Sequence, residues 1–176
     1  MSTLKYFAYG SNLHPVRLQQ RVPESKFLCV ATLAGYRLCF HKRSDDGSAK
    51  ADAWFTGSAN DVIYGAVYQM PESQRLVLDR YEGVGSGYEV KQLQVVADDE
   101  LHDAFIYVAQ ASHIDADLKP YHWYRDLVLR GAGHHCLPEH YLSTISAVES
   151  IDDALIERDQ LNQEILGAIA RYPSYR

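Results

Sequence analysis

Two features of this sequence carry residue types suited to chemistry. The first is Glu82, in the last turn of a predicted helix and directly before Gly83. A helix C-terminus carries partial negative charge, so an anion there is disfavoured by a few tenths to ~1 kcal/mol. A carboxylate in that field is biased toward proton exchange, which is what a general acid or base needs. The flanking Gly83-Val84-Gly85-Ser86-Gly87 would let a ligand approach closely. Taken alone, the residue types favour a plainer reading, a solvated glutamate at a helix end. The second feature is Lys5-Tyr6-Phe7-Ala8-Tyr9-Gly10-Ser11-Asn12-Leu13, an aromatic strand-like run that stops in a polar turn. Past His14 and Pro15, the segment 16–21 reads as a short helix. A strand, a tight turn and a helix leave several backbone N–H groups pointing one way, a nest for an anion or oxyanion. Gly10 permits close approach of the backbone. An ordinary β-to-α turn uses the same residues, and the turn by itself favours that reading.

Other groups are weaker. Ser11 sits at a strand-to-helix turn, where hydrolases place a nucleophile, but the G-x-S-x-G pattern is absent. His134, His135, Cys136 and His140 resemble metal ligands at first sight. Adjacent histidines point in different directions, and no HExxH or second Cys pair exists, so surface-loop histidines are the better reading. Cys29 and Cys39 fall in predicted strands and read as small core residues. The glycines at 83, 85 and 87 open no helix and make no dinucleotide or phosphate loop.

The elements that would position these residues follow from periodicity. Strands are predicted at 27–31, 35–41, 51–55, 62–70, 88–96 and 102–109, the last two as a hairpin. Gly65, inside the strongest strand, points to a bulge or a close backbone approach. The polar stretch 42–50 reads as a surface loop. Pro71 opens a helix over about 72–81, stopped by Gly83. A helix over 121–130 is broken by Gly131-Ala132-Gly133, another follows Pro138, and the last starts at Asp152 with Leu161, Ile165, Leu166 and Ile169 at helical spacing. The result is one α+β domain over 1–176: a β-rich half, about 4–109, as a twisted sheet or small barrel, and a helical tail, 110–176.

Composition narrows the function. The chain has 176 residues, a net charge of −6 and 13 Tyr. There is no basic run or nucleic-acid motif, so nucleic acid is not an expected partner. No apolar run approaches the ~20 residues of a membrane span, and a membrane is not an expected partner either. Cys29, Cys39 and Cys136 are odd in number and far apart, which suits a reducing cytoplasm rather than a disulfide framework. No signal peptide is read. Tyr suits the wall of a polar pocket, because its ring packs and its tip bonds.

Two stretches change the weight of these readings when taken together. The run 6–13, Tyr-Phe-Ala-Tyr-Gly-Ser-Asn-Leu, resembles the N-terminal signature of the γ-glutamylcyclotransferase superfamily. Leu78-Asp79-Arg80-Tyr81-Glu82-Gly83, continuing through Tyr88, is similar to its second signature. Val62 to Met70 is similar to the strand before the catalytic helix, and 120–138 to the C-terminal region with its Tyr, helix, Gly and Leu-Pro. The resemblance covers about residues 5–148. It implies a small mixed β-barrel flanked by helices, with the tail from Glu149 adding an extra C-terminal helix. It implies release of 5-oxoproline from a γ-glutamyl amino acid or amide, with no cofactor and no metal. By the family pattern Glu82 is the catalytic acid/base. Tyr9, Gly10, Ser11, Asn12 and Leu13 cradle the γ-glutamyl group, and Tyr88 and Tyr124 complete the substrate site. Three other readings stay open at this stage: a non-enzymatic binder of small carboxylates, a serine hydrolase using Ser11, and a metal enzyme on His134, His135 and His140. The leaving amine and the assembly, a homodimer included, are left open.

Overall fold

The computed structural model describes residues 2–173. In chain order the elements are β1 (Thr3–Ala8), α1 (Pro15–Arg21), β2 (Lys26–Ala34), β3 (Tyr36–Arg43), β4 (Ala49–Phe55), β5 (Val62–Pro71), α2 (Arg75–Glu82), β6 (Tyr88–Ala97), β7 (Glu100–Ala109), α3 (His122–His134), α4 (Glu139–Ser146) and α5 (Ile156–Arg171). Five strands close a barrel in the order β1-β5-β2-β6-β7, and β3-β4 form a separate two-stranded sheet. The barrel is mixed: β1 meets β7 in parallel at Tyr6 and Phe105, and its other pairings are antiparallel. Closure satisfies the edge groups that an open sheet would leave unpaired.

The barrel strands bury side chains such as Phe7, Val67, Met70 and Phe105. Gly65 is there because β1 passes over it. A Cβ at that position would meet Ala8 O at 2.5 Å and the Phe7 ring at 2.6 Å. The expected close approach is thus met. The β6–β7 hairpin turns at Asp98 and Asp99, both with positive φ, as a tight primed-type turn requires.

Several local expectations are corrected. Pro71 closes β5 instead of opening a helix; a single 3-10 turn, Glu72–Gln74, follows, and α2 begins only at Arg75. Gly131 and Gly133 do not break α3, which continues to His134. Gly131 is a contact glycine: a Cβ there would lie 2.8 Å from Leu13 Cβ and 2.9 Å from His14 N. Its lack of a side chain lets α3 press against the turn after β1. The last helix starts at Ile156, not at Asp152, and Leu161 faces out while Asn162, Ile165, Leu166 and Ile169 are buried. That face packs on α3 and α1.

The stretch 42–50 is not a loose surface loop. Its first residues belong to β3 and its last to β4. Lys50 Nζ holds Asp46 Oδ2 at 2.6 Å, Tyr121 Oη donates to Asp46 O at 2.8 Å, and Ser48 is fully buried. The hairpin is tied to the barrel by Asp52, which accepts from the Ala109 amide at 2.7 Å and lies 2.8 Å from His41 Nε2. Cys29 and Cys39 are half-buried rather than core, and burial pushes both thiols up.

Candidate active site

α2 ends at Glu82 because Gly83 takes a left-handed conformation, φ 67°, and its amide returns to Arg80 O. Only glycine adopts this without a Cβ penalty. The chain then runs through Gly85 and Gly87, both also at positive φ, into Tyr88 at the start of β6. The end of α2 and the end of β1 thereby come to the same place.

At β1 the turn is closed by the Leu13 amide bonding Gly10 O at 3.0 Å. Among the described residues the amides of Ser11 and Asn12 have no protein acceptor. His14 caps α1, its Nδ1 accepting from the Val16 amide at 3.2 Å, and Pro15 takes the first helical position. Burial, with His134 and His135 beside it, lowers the His14 pKa to about 3. The cap is therefore a neutral imidazole.

Tyr9, Gly10, Ser11, Asn12, Glu82, Tyr88 and Tyr124 converge on one narrow cleft of ≈ 20 Å³, together with Tyr6, Ala51 and Tyr107. Leu13 does not join them. Its side chain is wholly in the core, and its carbonyl faces away, accepting from Tyr68 Oη at 2.7 Å. Tyr6, Ala51, Tyr107 and, above all, Arg21 join the site without a sequence signal of their own.

Arg21 resolves the awkward position of Glu82. Its Nη1 donates to Glu82 Oε1 at 2.6 Å and to Asn12 Oδ1 at 2.9 Å. Asn12 Nδ2 donates to the same Glu82 Oε1 at 2.8 Å and lies 3.3 Å from Tyr6 Oη. Glu82 and Arg21 side chains are only 14% and 13% exposed, so the pair is little screened by water. The carboxylate is pinned through Oε1, while Oε2 has no hydrogen bond among the described residues. No local signal could have announced this, since 61 residues separate the pair.

The five tyrosines of the cleft are not equivalent. Tyr9 Oη donates to Tyr107 O at 2.6 Å and accepts from the Ala53 amide. Tyr88 Oη donates to Ala51 O, and Tyr107 Oη to Asp79 Oδ1 at 2.6 Å. Tyr124 Oη accepts from the Ala51 amide at 3.0 Å and has the Ser11 hydroxyl as a second neighbour. The proton of Tyr6 Oη has no acceptor among the described residues. Burial is the main cause that raises the pKa of all five, that of Tyr124 to about 12. The cleft is thus a wall of neutral phenols in which, among the described residues, the Tyr6 O–H, the Ser11 and Asn12 amides and Glu82 Oε2 have no partner for their proton or lone pair, and the Tyr124 O–H has only the Ser11 hydroxyl beside it.

The histidines proposed as metal ligands go elsewhere. His134 packs on His14, His135 stacks on Phe27, and His140 lies against Tyr64. His134 and His135 are half-buried, not surface-loop residues. Among the described residues no group of three or more His, Cys, Asp or Glu is arranged to hold a metal ion. No histidine lines the cleft that contains Ser11.

Comparison with known proteins agrees with the geometry. Residues 6–126 match the family model described as "Gamma-glutamyl cyclotransferase, AIG2-like". The chain is 30% identical over 154 residues to the γ-glutamylcyclotransferase of Homo sapiens, covering 84% of this chain and 79% of that one, and equally similar to the Mus musculus protein. A solved structure of a γ-glutamyl cyclotransferase superposes with a TM-score of 0.81 at 27% identity, covering 93% of this chain and 99% of that one. The chain belongs to the γ-glutamylcyclotransferase, AIG2-like family.

Proposed function

We propose that the protein cyclises γ-glutamyl compounds, releasing 5-oxoproline and a free amine, with Glu82 as the base and then the acid. The observation that carries this is the free Oε2 of a Glu82 locked through Oε1, facing a cleft of neutral hydrogen-bond donors. The substrate holds its own nucleophile, the α-amine, and its own electrophile, the γ-carbonyl. Ring closure needs the chain folded and the amine deprotonated. Orientation can supply much of the acceleration, since effective molarities reach ~10⁵–10⁸ M for well-placed groups.

In this reading Glu82 Oε2 takes a proton from the α-ammonium, and the α-nitrogen then bonds to the γ-carbon. The carbonyl oxygen becomes an oxyanion, stabilised by the donors of the cleft: the Ser11 and Asn12 amides and the Tyr124 and Tyr6 hydroxyls. Collapse breaks the bond from the γ-carbon to the leaving nitrogen, to which Glu82 delivers the proton. In total the α-nitrogen loses two protons and the leaving nitrogen gains two, so Glu82 ends as it began.

A serine hydrolase on Ser11 has less support, because no cleft residue is a histidine that could take its proton. Simple carboxylate binding has less support too, because a free carboxylate oxygen repels an anion. The test is 5-oxoproline release from γ-glutamyl dipeptides by wild type and Glu82→Gln. Release by the first and a loss of about 10³-fold or more in the folded second is expected. Equal rates would remove Glu82 from the chemistry, and no release by wild type would remove the activity.

A further inference from the structure

Beside the cleft lies a second hollow, a groove of ≈ 490 Å³ between α1, α2 and α5. It is lined by Arg17 and Arg21 from α1, Tyr81 from α2, and Leu161, Glu164 and Ile165 from α5. The two spaces share a wall. Arg21 lines the groove, and its Nη1 holds Glu82 and Asn12, both of which line the cleft.

Arg17 and Arg21 are one turn apart on α1 and present the same face, but their circumstances differ. Arg21 has its carboxylate. Arg17 has no ion pair and no hydrogen bond among the described residues, and its Nε is fully buried without an acceptor. A buried guanidinium N–H left unbonded is costly, and such groups normally have a partner. Arg17 lies in the first turn of α1, whereas Arg21 in the last turn is the one that touches the cradle, through Asn12 Oδ1. The burial of Arg17 and the neighbouring Arg21 make the unpaired cation still less comfortable, while Glu82 and the Tyr124 hydroxyl, both cleft groups, are near enough to ease it.

We propose that this groove is the leaving-group subsite, and that Arg17 binds the carboxylate of the amino acid released from the γ-glutamyl group. The proposal rests on the cyclotransferase reading above and extends it to the part of the substrate that does not form the ring. A guanidinium answers a carboxylate with two parallel N–H···O bonds, which the terminal Nη groups of Arg17, without a partner among the described residues and not buried as its Nε is, can supply. Arg21 cannot serve, because it is already committed to Glu82 and its guanidinium lies over the Tyr81 ring at 5.1 Å. Leu161 and Ile165 would face the side chain of the leaving residue. Glu164, exposed on the same wall, sets a preference against acidic side chains. The specificity of the enzyme is thereby placed on α5, a helix outside the matched residues 6–126.

The experiment compares γ-glutamyl-alanine with γ-glutamyl-alanine amide, which lacks only the negative charge on the leaving group. The readout is 5-oxoproline release by wild type, Arg17→Gln and Arg17→Lys. Wild type is expected to favour the acid by about 10- to 100-fold, mainly in KM, the usual worth of a charge-assisted pair. In Arg17→Gln that ratio should fall towards one, and Arg17→Lys should restore part of it. Leu161→Asp, at an exposed position, should lower the ratio by repulsion and guards against a folding defect in the arginine variants. Turnover by wild type with no preference for the acid, or an unchanged ratio in Arg17→Gln and Leu161→Asp, overturns the subsite and leaves the cyclotransferase reading intact. No turnover of either compound by wild type overturns both.

Discussion

Glu82 shows how one residue can look poorly placed in one dimension and well placed in three. The C-terminal field of α2 disfavours its charge, and Arg21 answers that field from 61 residues away. The clamp uses a single carboxylate oxygen, so the other stays available. The same accounting of protons separates the cleft tyrosines. Tyr88 gives its proton to Ala51 O, whereas Tyr124 accepts from the Ala51 amide and gives no proton to the backbone, with only the Ser11 hydroxyl beside it. Tyr124→Phe should therefore lower kcat by about 10²- to 10³-fold, the usual loss for one oxyanion donor, in addition to the lower melting temperature that comes from leaving the buried Ala51 amide unpaired. Tyr88→Phe should instead act mainly on stability, since it removes the bond that ties β6 to β4. Steady-state kinetics alongside thermal melts of the two variants separates the roles; equal kcat losses would mean that both hydroxyls face the substrate.

At the scale of elements, the cradle is held by what presses on it from behind. α3 reaches the Leu13–His14 backbone only because Gly131 has no side chain. Leu13, read from sequence as part of the substrate site, is the core residue through which that pressure passes. Gly131→Ala should displace the turn, since the new methyl would sit 2.8 Å from Leu13 Cβ. Overpacking of this kind costs about 1–3 kcal/mol. We expect a lower melting temperature together with a raised KM, because the amides of Ser11 and Asn12 move with Leu13. A variant that melts lower but binds substrate normally would show that the cradle is set by β1 alone. The β3–β4 hairpin has a similar task. Its Asp52 and Asp46 ties fix Ala51, whose backbone orients both Tyr88 and Tyr124.

For the molecule as a whole, the junction of α1, α3 and the barrel carries a pH liability. His14 is 2% exposed with its pKa lowered to about 3, and His135 is lowered to about 4, in both cases chiefly by burial. Both rings are neutral when folded and take a proton near pH 6.5 when unfolded. Stability is thus complete above about pH 6.5 and falls as the pH drops from there towards 4, by up to about 1.4 kcal/mol per pH unit for each ring. Thermal melts between pH 7.5 and 5 should show the decline. His14→Asn keeps a side-chain acceptor for the Val16 amide and should flatten part of it; an unchanged slope would assign the acid limb to other groups.

What could be read from sequence was whatever depends on near neighbours. Alternation marked the strands, Gly83 marked the end of α2, and Gly65 marked a close approach of backbone. Two short signatures identified the family, and with it the small barrel. The misreadings have one physical cause. By sequence Gly131 reads as a helix breaker, residues 42–50 as a surface loop and, by resemblance, Leu13 as part of the cradle, because each is decided by an element far away in the chain. Propensity describes what a segment does alone, and packing overrides it where a partner arrives. The site divides in the same way. Residue types announced Glu82 and the Gly10–Asn12 turn. Only closure of the barrel, which brings β1 against β5 and β7 and so α1 beside α2, joined Arg21 and Asn12 to Glu82, chose which tyrosine protons remain free, and left Arg17 without a partner in the groove beside them.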